Sequence, residues 1–132
     1  MTNSSPLTSL QLSVLRVLWE AGEVSVNEVA ARLEPERPLA FTTVATLLSR
    51  LAKRGIVTRR RHGRQFLYTA AIGRDATRET MVHELARDLF EGDVSHLVHH
   101  LLSSKEIHSS DLARVKALIE AREAEGRNGG AK

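Results

Sequence analysis

Cysteine is absent from this chain, which excludes disulfides and thiolate metal sites and fits a reducing, cytoplasmic setting. Aromatic residues are scarce. Trp19, Phe41, Phe66, Tyr68 and Phe90 are the whole set, too few for the stacking platform that single-stranded nucleic acid requires. No apolar run approaches the length of a membrane span, so no membrane partner is expected. Residues 1–6 are polar and carry no secretory pattern. The usual parts of an enzyme are also missing. There is no thiol nucleophile, no glycine-rich phosphate loop and no paired-carboxylate pocket, so neither a catalytic residue nor a cofactor is expected.

The most informative absence is local. From Arg37 through Arg74 the chain has nine lysines and arginines and no aspartate or glutamate. The formal charge of +3 is therefore a sum of −3 before this stretch, +9 within it and −3 after it. A block this one-sided attracts polyanions. Its residues also fit a helix, a hairpin and a turn, so the basic block is a folded element, the footprint of nucleic-acid binding. At 132 residues with 42% hydrophobic content, the chain can form one domain, or one small domain with an oligomerising extension.

Residues 7–72 read as three helices and a hairpin. Thr8 and Gln11 form a capping box with Leu7 and Leu12 as its hydrophobic staple. Leu10, Val14, Val17 and Leu18 keep helical spacing up to Gly22. Ser25 and Glu28, flanked by Val24 and Val29, repeat the device and open a second helix ending near Leu33. A third helix is expected from about Thr42 to Gly55, with Val44, Leu47, Leu48 and Leu51 on its buried face. At about 100° per residue, Thr42, Thr43, Thr46, Ser49, Arg50 and Lys53 fall on the opposite face. Threonine can donate to a base edge and touch a thymine methyl, so Thr42, Thr43 and Thr46 are base-reading candidates. Arg50 and Lys53 would reach phosphates. Ile56–Arg61 and Gln65–Thr69 read as strands joined at His62-Gly63. Arg59, Arg60, Arg61 and Arg64 make this hairpin a basic wing that suits the sugar-phosphate backbone.

Residues 73–123 read as three amphipathic helices, with residues 1–6 and 124–132 as flexible termini. Asp75 is placed to cap the fourth helix, and Ser109 or Ser110 the sixth. The apolar stripes comprise Val82, Leu85 and Leu89, then Leu97, Val98 and Leu101, then Leu112, Val115, Leu118 and Ile119. Three short helices bury too little surface alone, and a second copy of the chain is the simplest partner. Packing back on the first half as a monomer is the alternative. His96, His99 and His100 share one face at spacings that could share a metal. No carboxylate or cysteine completes that set, so a solvated or interface face is expected and no metal.

The run from Leu7 to Trp19, LTSLQLSVLRVLW, resembles the opening helix of the penicillinase-repressor (BlaI/MecI/CopY) family. Residues 41–55, FTTVATLLSRLAKRG, resemble its recognition helix, and residues 61–68, RHGRQFLY, its wing. The likeness runs in register from about residue 7 to 122. The resemblance implies a mainly α fold, a winged helix-turn-helix followed by a three-helix dimerisation region. It also implies a bacterial transcriptional repressor that binds a pseudo-palindromic operator in duplex DNA as a homodimer. Thr43 and Thr46 match base-reading threonines of the family, Arg50 and Lys53 match positions suited to backbone contacts, and Arg64 and Tyr68 match the wing. The penicillinase repressors are cut at an Asn-Phe pair in the fifth helix, where this chain has His100-Leu101. A signal-dependent protease or sensor thus lacks support at the usual cleavage position. Copper-responsive members carry a cysteine motif that this chain does not have. The alternative to a repressor is a winged-helix module that binds structured RNA or a protein partner without operator specificity.

Overall fold

A computed structural model describes residues 7–129. Nine elements follow in order: α1 (Ser9–Ala21), β1 (Val24–Ser25), α2 (Val26–Leu33), α3 (Phe41–Lys53), β2 (Val57–His62), β3 (Gln65–Ala70), α4 (Arg74–Phe90), α5 (Val94–Leu102) and α6 (Ser109–Gly129). The fold is mainly helical with one small antiparallel sheet, a winged helix-turn-helix followed by three further helices. The chain divides into two compact units between Glu84 and Leu85, within α4.

In the first unit, both capping boxes form. The Thr8 hydroxyl accepts from the Gln11 amide at 3.1 Å while the Gln11 side chain accepts from the Thr8 amide at 3.0 Å. Ser25 and Glu28 repeat the pair at 3.2 and 3.1 Å. Each box satisfies helix N-terminal amides that would otherwise lack partners. α1 closes on Gly22, whose amide donates to the Leu18 carbonyl at 2.9 Å and whose positive φ of 82° turns the following chain out of the helix. α3 closes similarly, with Gly55 at φ 77° and the Ile56 amide reaching back to the Leu51 carbonyl at 3.0 Å.

The core draws Val14, Leu15, Val17 and Leu18 from α1, Val29 and Leu33 from α2, and Val44, Leu48 and Leu51 from α3. Val24, Val57 and Tyr68 close it from the sheet. Leu47, expected on the buried face of α3, is only partly buried, and Leu15 is wholly buried.

Several boundaries differ from expectation for local reasons. The sheet has three strands in the order β1-β3-β2, because Val24 and Ser25 pair with Tyr68 and Leu67. A two-residue strand shows no alternation in sequence. The hairpin turn is Gly63-Arg64, not His62-Gly63, since His62 pairs with Gln65. Gly63 occupies its first position at φ 66°, the left-handed region that glycine adopts without strain. Asp75 lies within the first turn of α4 rather than capping it. The Gly73 carbonyl instead receives the Thr77 amide at 3.1 Å and the Thr77 hydroxyl at 2.9 Å.

In the second unit, α5 starts at a true cap, Asp93, whose carboxylate accepts from the His96 amide at 3.0 Å. α6 begins at Ser109, so neither Ser109 nor Ser110 is the cap. His108 stands there, its amide donating to the Asp111 carboxylate at 3.1 Å. α6 continues to Gly129, past the expected flexible boundary at 124, while residues 1–6 and 130–132 lie outside the described residues. Among the described residues, no helix is long and apolar enough to cross a membrane.

Candidate nucleic-acid interface

The first 13-residue helix after the proline-bounded loop, α3, divides cleanly by face. Val44, Leu48 and Leu51 are fully buried, which fixes the helix rotation and leaves Thr42, Thr43, Thr46, Arg50 and Lys53 exposed. Ser49 is half-buried at the edge of that face. Ala40, at the N-cap, provides no side-chain hydrogen bond, and no acid stands in the first turn. The leading amides of α3 and the positive end of its dipole are therefore left open to an anionic oxygen. Arg50 and Lys53 occupy the last turn, where cations suit the dipole.

The wing sorts its arginines by strand alternation. Arg59 pairs with Tyr68 and Arg61 with Phe66, so these four share one face of the sheet. Both guanidinium groups lie over the Phe66 ring, 4.3 and 4.9 Å from its centroid, within the range of cation–π attraction. The Arg59 guanidinium also donates to the Tyr68 hydroxyl at 3.4 Å. The aromatic ring thus sets the direction of two otherwise flexible cations without neutralising them. Arg64 extends from the turn itself.

Arg60 behaves differently. It points to the opposite face and grips Glu23 with two hydrogen bonds, at 2.7 and 2.8 Å. Glu23 immediately precedes β1, and Arg60 belongs to β2, so the pair reaches across the central strand β3. The guanidinium beside it holds the Glu23 carboxyl below the ordinary glutamate range, and Glu23 in turn raises Arg60. Expected among the phosphate contacts, Arg60 is committed to a partner that sequence spacing could not reveal.

Arg50, Lys53, Arg59, Arg61 and Arg64 make no ion pair among the described residues. The winged helix thus carries three exposed threonines on α3 and, on α3 and the wing, five cations with no ion pair among the described residues. Sequence reasoning missed Phe66 as the platform beneath Arg59 and Arg61, because a turn at His62-Gly63 would set Arg61 opposite Arg64, whereas the turn at Gly63-Arg64 sets it opposite Phe66. It also missed Phe41, which is 51% exposed at the start of α3. Phe41, Ala45, Asn27, Arg64, Gln65 and Phe66 border a cleft of about 300 Å³ between α3 and the wing.

The helical stripes of α4, α5 and α6 are largely exposed. Val82, Leu85, Leu89, Val98, Leu101, Leu112, Leu118 and Ile119 are all at least 36% exposed, Val115 is half-buried, and Leu97 is buried. His96 and His100 set their rings edge-on to Phe90, with centroids at 5.2 and 6.0 Å, while His99 is exposed without such a contact. Among the described residues, no group of three or more His, Asp or Glu side chains could hold a metal ion.

Comparison with known proteins agrees with this architecture. The family model described as Penicillinase repressor matches residues 7–121. The transcriptional regulator BlaI of Mycobacterium tuberculosis is 33% identical over 124 residues, covering 92% of this chain and 90% of that protein. The penicillinase repressor of Bacillus licheniformis is 24% identical, over 86% of this chain and 89% of its own length. Among solved structures, the hsRosR-S4 complex has the same fold, with a TM-score of 0.55 at 17% identity over 94% of this chain and 96% of that one.

Proposed function

Given that this chain belongs to the penicillinase-repressor family, a family of transcriptional repressors, we propose that it represses transcription by binding a pseudo-palindromic DNA operator as a homodimer. α3 enters the major groove, where Thr42, Thr43 and Thr46 meet base edges. Arg50 and Lys53 hold the flanking phosphates, and Arg59, Arg61 and Arg64 carry the wing along the backbone. The observation that carries this reading is the set of five cations with no ion pair among the described residues, in the same unit as an exposed threonine face. Cations already neutralised within the fold would release few counterions on binding, whereas these are free to exchange them for phosphates.

The dimer is supported by the apolar side chains left exposed on α4, α5 and α6, of which Leu89 and Leu118 are 68% and 69% exposed. Apolar stripes left exposed on successive amphipathic helices are ordinarily covered by a partner. A two-fold pair of winged helices would read half-sites separated by whole helical turns. Selection of bound sequences from random duplex DNA at near-physiological salt tests the proposal. Enrichment of a pseudo-palindrome supports it. Recovery of no common sequence, with binding that disappears as salt rises, contradicts it and favours a polyanion clamp.

A further inference from the structure

On the far side of α1 from the core, within the first unit, a groove separates α1 from the opening turns of α4. Leu12, Trp19, Met81 and Val82 give it apolar walls, and Arg16, Arg74 and Arg78 stand around them with one acid, Glu20. Its volume of about 450 Å³ lies within the range of small-molecule sites. The Trp19 indole N–H is satisfied by the Ile72 carbonyl at 2.9 Å, so the ring is held in place and adds an apolar wall with no unmet donor. Arg74 lies 5.4 Å from the Trp19 ring and 3.9 Å from the Glu20 carboxylate. Arg78 meets Asp75 at 3.4 Å, an acid that is 97% exposed. Arg16 has no ion pair among the described residues.

We propose that this groove binds a small amphipathic anion, a planar apolar body carrying one carboxylate. The apolar walls accept the body, and the head meets Arg16, which has no ion pair among the described residues, with Arg74 and Arg78 beside it, each also facing one exposed acid, Glu20 or Asp75. Arginine presents a planar fork of donors that suits a carboxylate. A neutral ligand would leave these guanidinium groups unused, and a fully polar anion would leave the walls unfilled. The site lies apart from the α3 and wing surface, and its occupancy is a property of the protein without DNA.

The chain has a single tryptophan, Trp19, so its emission reports the groove directly. The full-length protein, free of DNA, is titrated with 2-naphthoate and with the neutral 2-naphthamide, following Trp19 emission and heat by calorimetry. Saturable 2-naphthoate binding is expected, with 2-naphthamide weaker by about tenfold. The double variant Arg16→Ala, Arg78→Ala, at exposed positions and checked by its melting curve, should lose about tenfold in naphthoate affinity and little for the amide. No saturable change with either compound, equal affinity for the two, or an unaltered double variant would overturn the site. None of these readouts involves DNA, so the outcome is independent of whether α3 reads an operator.

Discussion

At the residue scale, the three arginines in succession on β2 have separate tasks. Arg59 and Arg61 lie over Phe66, whereas Arg60 is held by Glu23. Arg61→Ala should lower affinity for all duplex sequences and reduce the salt slope by about one phosphate's worth. Arg60→Ala should leave that slope near the parent value, and salt-dependent anisotropy titrations distinguish the two. Glu23 provides a second check. Its folded carboxyl titrates below the ordinary glutamate value because Arg60 donates two hydrogen bonds to it. A depressed acid of this kind adds stability above its unfolded pKa, and that contribution is lost as pH falls through the folded value. An NMR titration should find Glu23 below the ordinary glutamate value and rising in Arg60→Ala. On α3, Thr46→Ala should cost about 1–3 kcal/mol at one operator position while binding to random duplex holds. Equal losses on both would show that Thr46 reads no base. Most of this surface was legible in the charge pattern and the helical spacing. The Glu23–Arg60 pair was not, because its members are 37 residues apart and meet only once β1 joins the sheet.

At the element scale, what holds α3 is its buried face, so the threonine surface depends on side chains that never meet DNA. Leu48 is fully buried in the core to which α1, α2 and α3 all contribute, and Leu48→Ala should destabilise the fold by roughly 2–5 kcal/mol in urea unfolding. A loss well under that would mean the core closes around the cavity. The elements most visible in sequence were those with reciprocal local signals, the capping boxes at Thr8 and Ser25 and the 3.6-residue period of α3. β1 stayed hidden because its two residues acquire strand character only from pairing with Tyr68 and Leu67. The start of α6 was misplaced by one or two residues, to a cap at Ser109 or Ser110, because serine is a common cap, yet the bond that forms is Asp111 accepting from the His108 amide. Its extension to Gly129 ran against a composition of Glu, Gly and Asn that reads as a fraying end.

At the scale of the whole molecule, the two units carry different kinds of surface. The first presents exposed cations and hydroxyls over a closed core, and the second presents exposed leucines and valines. In the proposed dimer those apolar stripes cover one another, and Leu101, 53% exposed on α5, lies on such a stripe. Leu101→Asp should halve the mass of the particle in sedimentation velocity, and a profile matching the parent would exclude α5 from the interface. In the proposed reading one α3 meets only a half-site, and two joined copies would multiply that preference through their effective concentration. The most direct test is sedimentation of the full-length protein with its selected duplex and with a half-site duplex of equal length. Two protomers on the full site and markedly weaker binding to the half-site are expected. One protomer bound with the same affinity to both duplexes would contradict the proposed dimer.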